Sequence, residues 1–93
     1  MNGSLAKLIA LPGTGLLGIA TAKKIGGKPD RNRAKRRFRE AIRIQAGLVD
    51  PRLDFILIVN PDGANAVFER IQEEVRTLFG RAKERWESEL GSS

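Results

Sequence analysis

Apolar and polar positions divide the chain into five periodic segments separated by turn-forming clusters. Leu5–Leu11 is a mostly apolar run that predicts a strand, closed by the turn Pro12-Gly13-Thr14-Gly15. In Leu16–Ala22, Leu17, Ile19 and Thr21 alternate with Leu16, Gly18, Ala20 and Ala22, which predicts a second strand. The short turn pairs it with the first as an antiparallel hairpin. Lys23–Asp30, with Gly26, Gly27 and Pro29, reads as a loop. Arg31–Gln45 predicts a helix with Asp30 as N-cap and Gly47 as its stop. Ala34, Phe38, Ala41, Ile42 and Gln45 fall on one face of it, a narrow apolar stripe that places Phe38 in the core. Leu53–Val59 is nearly all apolar and reads as a strand buried on both faces in the sheet interior. The helix before it serves as a crossover between parallel strands. Asn60-Pro61-Asp62-Gly63 is a turn cluster, and Ala64–Leu90 predicts a long helix. Its stripe runs through Val67, Phe68, Ile71, Val75, Leu78, Phe79, Ala82, Trp86 and Leu90, with Gly80 as a place for a bend. Glu69, Glu73 and Glu74 early and Arg81, Lys83 and Arg85 late suit the helix dipole. The expected class is α+β, a small mixed β-sheet with packed helices in the order β-β-α-β-α. It forms one domain over residues 1–90, with 91–93 as a tail.

Composition narrows the chemistry. A chain of 93 residues buries only roughly 60% of its unfolded surface, so the core is thin and a deep walled active site is not expected. The absence of cysteine excludes disulfides, thiolate zinc sites and thiol nucleophiles. The absence of histidine excludes Ser-His-Asp chemistry and imidazole metal sites. Asp50, Asp54 and Asp62 are spaced as no recognisable metal loop.

Charge is segregated along the chain. Of the net +6, residues 1–50 carry 11 basic and 3 acidic side chains, whereas residues 51–93 carry 6 basic and 8 acidic ones. Lys23–Arg43 alone holds ten basic residues against Asp30 and Glu40. An ordinary charge run is a solvated helix face. This one sits in a chain whose other half is slightly acidic, so solubility does not account for it, and a polyanion, nucleic acid first, is the expected partner.

Two N-terminal patterns compete for attention. Leu8–Leu11 and Leu16–Ala22 end in Ala20-Thr21-Ala22, as a signal peptide would, but Pro12, Gly13 and Gly15 interrupt the apolar run. No apolar run is long enough to span a bilayer, and the expected location is cytoplasmic. Gly13, Gly15 and Gly18 match G-x-G-x-x-G, which leaves a dinucleotide-binding enzyme fragment as an alternative. That motif needs a helix at the second glycine and a later strand with an acidic residue, and the segment that follows leads to Gly26-Gly27 and a basic helix instead.

The basic block carries a more specific signal. Lys23-Lys24-Ile25-Gly26, then Arg31-Asn32-Arg33, Lys35-Arg36 and Arg39-Glu40 resemble the signature of the bacterial ribonuclease P protein family. The gap from Gly26 to Arg31, the strand before the double lysine, Leu53–Val59 and the final helix are similar too, so the resemblance covers roughly residues 5–85. It implies the family fold with its left-handed crossover. It also implies a role as RNA-binding subunit of a ribonucleoprotein endoribonuclease that removes 5′ leaders from precursor transfer RNA. The catalytic RNA would perform hydrolysis with bound magnesium, and this chain would supply no catalytic side chain and bind no cofactor or metal itself. The RNA-binding residues it implies are Lys23, Lys24, Lys28, Arg31, Asn32, Arg33, Lys35, Arg36, Arg37, Arg39 and Arg43. Arginine forks bind phosphate oxygens bidentately, Asn32 can read a base edge or brace an arginine, and the helix N-terminus adds partial positive charge. With few aromatics and no tyrosine, recognition of folded RNA by backbone and shape fits better than single-strand readout.

The chain departs from the family in three places. The family's additional N-terminal helix, which lines the cleft for the leader, has no counterpart ahead of Leu5. The expectation therefore extends further for the catalytic RNA than for the leader of precursor transfer RNA. Ala20 and Ala22 stand where serines are common, and Lys28-Pro29-Asp30 replaces an apolar loop. A stand-alone or redesigned domain that keeps the fold without the activity remains an alternative. Leu5, Leu8, Ile9, Leu11, Leu16, Leu17 and Ile19 exceed what two strands covered on one side need. The expectation is a monomer whose long C-terminal helix covers the surplus, with a dimer swapped at Asn60–Gly63 as the second choice.

Overall fold

The most apolar run of the chain takes the centre of the sheet. In the computed structural model, which describes residues 1–45 and 47–90, β3 (Leu53–Val59) lies between β1 (Ala6–Pro12) and β2 (Leu17–Thr21). β1 runs antiparallel to β3, with Ala6 opposite Val59 and Pro12 opposite Leu53. β2 runs parallel to β3, with Leu17 opposite Phe55 and Thr21 opposite Val59. The crossover reading holds, and the expected hairpin does not: β1 and β2 point in opposite directions but do not pair. The connection between them instead passes across the start of β3. Gly13 N–H donates to Arg52 O at 2.9 Å, Gly15 N–H to Leu53 O at 3.0 Å, and Phe55 N–H to Leu16 O at 2.8 Å. Gly15 sits at φ +93°, a conformation open to glycine and costly for other residues.

α1 spans Lys28–Arg43, three residues earlier at its start than the sequence suggests. Gly27 is the N-cap and Pro29 lies in the first turn, where its missing N–H costs nothing, so Asp30 is inside the helix rather than capping it. Lys23–Ile25, expected as loop, forms a 3-10 turn. The Asn60–Gly63 cluster is also helical. α2 (Pro61–Ala64) is a single turn whose N-cap, Asn60, accepts from Gly63 N–H at 2.9 Å. α3 therefore begins at Phe68 and runs to Leu90, continuing through Gly80 without interruption.

α1 and α3 share one core. Ala34, Phe38, Ala41 and Ile42 of α1 and Ile71, Val75, Leu78, Phe79 and Ala82 of α3 pack with Leu53, Phe55, Leu57 and Val59 of β3. The Phe55 and Phe79 rings meet at 4.8 Å in a tilted arrangement. β3 is thus covered on one face, not both: Ile56 on the other face is 48% exposed. Cross-strand register puts Ile56 beside Ile9 and Gly18, and Ile58 beside Lys7 and Ala20. Leu11 and Leu16 are 58% and 67% exposed near the end of this open face. The expectation that the C-terminal helix covers the apolar surplus holds only in part: Leu5 and Leu8 are buried in the core that α3 shares, and Leu17 and Ile19 pack against it, whereas Leu11 and Leu16 stay exposed because the stripe of α3 lies on the face α1 also occupies.

The N-terminal residues fold back along the outer side of β1. Leu8 N–H donates to Met1 O at 2.9 Å, the Met1 ammonium to Leu8 O at 2.9 Å, and Gly3 N–H to Ala6 O at 2.8 Å. Further along, the half-buried Trp86 of α3 donates its indole N–H to Ala10 O at 3.2 Å.

Candidate nucleic-acid interface

α1 exists because one stripe of it is apolar, and that same stripe fixes where its cations go. With 3.6 residues per turn, anchoring Ala34, Phe38, Ala41 and Ile42 in the core turns Lys28, Asn32, Arg36, Arg39 and Arg43 to the opposite side. All five are exposed. Arg33 is exposed on one flank of this face, while Arg31 and Lys35 are half-buried on the other. Lys23 and Lys24 are exposed on the 3-10 turn that leads into the helix. Ten of the eleven sequence-predicted residues therefore form one basic surface along α1 and its approach.

Arg37 departs from that pattern. Its guanidinium points to the α2–α3 connection, donating to Ala66 O at 2.7 Å and Ala64 O at 3.4 Å. It ties α1 to carbonyls that the single turn of α2 leaves without helical partners. Helical spacing sets Arg37 on the flank of the apolar stripe and Arg36 opposite it, but the partner of Arg37 lies 29 residues away and no local signal points to it.

Arg43 is partly neutralised by Glu40, one turn back on the helix. Its Nε donates to Glu40 Oε2 at 2.9 Å, and Nη2 bonds the other carboxylate oxygen. The hydrogen bond from Arg43 holds the Glu40 carboxyl below its usual range, and the Glu40 carboxylate raises the Arg43 guanidinium. No other ion pair forms on this face among the described residues, so Arg36 and Arg39 keep their charge open to a ligand. At the N-terminus of α1 no side chain caps the helix, which leaves first-turn N–H groups directed outward beside Lys28.

The glycine motif at residues 13–18 is closed to phosphate. The N–H groups of its first four residues are already bonded: Gly13 and Gly15 to backbone carbonyls, and Thr14 and Leu16 to Asp54 Oδ1 at 2.9 and 3.0 Å. Those two N–H bonds hold the Asp54 carboxyl below its ordinary value. A carboxylate at the centre of the turn repels the anion that a dinucleotide fingerprint must bind. Among the described residues no three acidic side chains gather as a metal-binding group. Among them, too, no helix is long and apolar enough to cross a membrane.

The chain is similar to known proteins over most of its length. The sequence pattern of the Ribonuclease P family matches residues 6–83. The ribonuclease P protein component of Erythrobacter litoralis is 43% identical over 70 residues, covering 72% of this chain and 56% of that protein. Its counterpart in Herpetosiphon aurantiacus is 38% identical over 66 residues, covering 71% of this chain and 54% of that one. The chain spans about half the length of the curated relatives it matches. Among solved structures, the RNase P protein of Thermotoga maritima superposes with a TM-score of 0.76 at 23% identity, covering 87% of this chain and 80% of that one. That of Staphylococcus aureus gives 0.74 at 22% identity, covering 89% and 79%.

Proposed function

The chain belongs to the ribonuclease P protein family, and from that premise we propose that it is the RNA-binding subunit of a ribonuclease P. In this reading it supports removal of the 5′ leader from precursor transfer RNA by the catalytic RNA. The observation that carries the proposal is the outward face of α1, where Lys28, Asn32, Arg36 and Arg39 lie on one side of a rigid helix anchored by Phe38. A row of cations at helical spacing, held by a packed core, meets phosphates without a large ordering cost. Each phosphate it neutralises releases counterions, which makes the affinity strongly dependent on salt.

The division of labour follows from the side chains. Hydrolysis belongs to the RNA and its magnesium ions, and this chain binds, screens repulsion between RNA segments and positions them. Arg31, Arg33 and Lys35 on the flanks of α1 extend the contact to phosphates of neighbouring strands. The test is cleavage of a precursor transfer RNA by the cognate catalytic RNA with and without this chain at near-physiological magnesium. Stimulation of leader removal supports the proposal. Salt-dependent RNA binding without stimulation would reduce the chain to a binding domain, and no binding at all would overturn the reading.

A further inference from the structure

The basic face of α1 runs into a cleft at the helix C-terminus. Leu17 at the start of β2, Ile42 and Gln45, and Leu48 and Val49 beyond the helix line a space of about 360 Å3, with Arg39 and Arg43 beside them. That volume is at the lower end of ligand sites, the size of one flat ring system rather than a large metabolite. Its walls are largely apolar and its rim is cationic. Of the two arginines, Arg43 is engaged by Glu40, and Arg39 has no acidic partner among the described residues.

Gln45 adds a directional group. Its Nε2 spends both hydrogens, on Ala41 O at 3.1 Å and Gln72 O at 3.0 Å. The amide is thereby fixed, and what it can offer a ligand is the acceptor Oε1. Gln45 lines the cleft, which thus joins apolar walls, an amide with only an acceptor left to give and an adjacent cation. A planar group with an N–H donor on its edge and an anion attached to it matches all three.

We propose that this cleft takes one unpaired, amino-bearing nucleobase of the bound RNA, with the neighbouring phosphate on Arg39. The inference rests on the RNA-binding reading and deepens it: the face of α1 supplies general phosphate contact, and the cleft selects a position where the RNA is not paired. Folded RNAs are recognised mainly where bases are unstacked and available, and an aliphatic wall with a polar edge contact suits such a base.

The experiment measures affinity of the full chain for three hairpin RNAs of one stem sequence: fully paired, carrying a single bulged adenosine, and carrying an abasic residue at the bulge. The bulged adenosine is expected to bind about tenfold tighter than the other two. In the double variant Leu48→Ala, Val49→Ala that preference is expected to vanish, with affinity for the paired hairpin unchanged and melting temperature monitored alongside. Equal, salt-sensitive binding of all three RNAs to the natural chain would overturn the cleft and leave the basic face standing. A preference retained by the variant would also overturn it. Binding to none of them would overturn the basic-face reading as well.

Discussion

Glu74 in the middle of α3 reaches the entrance of β1, where its Oε2 accepts the N–H of Leu5 at 2.6 Å and of Ala6 at 3.1 Å. The carboxylate is 8% exposed, and Ser4 also donates to its other oxygen. A side chain of α3 thus does for the start of β1 what a further strand would do. Glu74→Ala leaves two buried N–H groups without acceptors and is expected to cost about 2–4 kcal/mol. Glu74→Gln, which keeps one acceptor oxygen, should cost less. Urea unfolding of the two variants checks the order, and equal midpoints for alanine and the natural chain would remove Glu74 from the fold's supports.

Phe38 is fully buried at the centre of the stripe that anchors α1. Phe38→Ala is expected to destabilise by about 3–5 kcal/mol, through lost contacts and the cavity left behind. For a domain of this size that approaches the whole stability. Thermal unfolding measures it, and a variant with unchanged melting temperature but weakened RNA binding would place the ring at the interface instead.

Arg36 and Arg37 are neighbours in sequence with opposite expected behaviour. Arg36→Ala should reduce the slope of log affinity against log salt by about 0.9, one phosphate contact, at constant melting temperature. Arg37→Ala should leave that slope in place and lower stability by about 1 kcal/mol or more, because Ala64 and Ala66 lose their donor. Salt titrations and melting curves on both variants separate the roles. A slope change in Arg37→Ala without destabilisation would reverse the assignment.

Acid stability depends on the turn before β3. Asp50 is buried and bonds Arg52 through Nε at 3.1 Å, Nη2 at 2.9 Å and the backbone N–H at 2.8 Å. The side-chain bond from Arg52, then its backbone bond, pull the Asp50 carboxyl down to about 2. Because the folded value lies below the unfolded one, the stabilisation is complete above pH of about 4 and is lost as pH falls toward 2. Asp54, also lowered, acts in the same direction. Asp50→Asn should flatten the acid limb of the stability curve, and an identical limb in that variant would show that other carboxylates set it.

Gly63 is a glycine for reasons of space. It is buried, and a Cβ there would run into the Leu5 carbonyl oxygen, which already accepts Asn60 N–H at 3.0 Å. Backbone cannot move aside as a side-chain end can. Gly63→Ala is therefore expected to be destabilising even though alanine is the better helix former, whereas Gly80→Ala, with open space around it, should be neutral or stabilising. Comparison of the two melting temperatures tests this, and a stabilised Gly63→Ala would overturn the close approach.

What could be read from the sequence was local and periodic. The α1 stripe is legible because Ala34, Phe38, Ala41 and Ile42 repeat at the helical period, and the buried face of α1 follows with the cations opposite. The order of strands was not legible. A Pro-Gly-Thr-Gly turn between two apolar runs looks the same whether the strands pair or admit a third between them. The deciding contacts are Asp54 on Thr14 and Leu16, some 40 residues apart. Continuous apolarity in β3 also misled, since Ile56 and Ile58 lie on a face that stays open. Asn60–Gly63 was ambiguous because the residues that make a turn are those that cap and start a helix. The role of Arg37 is tertiary, and composition hides it among nine other cations of the basic block.

The bonds that Met1, Gly3 and Trp86 make along β1 have a consequence for behaviour at high concentration. A bare outer strand is a template on which a foreign strand can add, and chain after chain can follow in the same register. Here Leu8 is occupied at both its N–H and its carbonyl, Ala6 at both of its own, and Ala10 at its carbonyl, while Pro12 has no N–H to give. The β1 side therefore offers a foreign strand few free groups on which to extend a ladder, and strand addition at this edge is disfavoured.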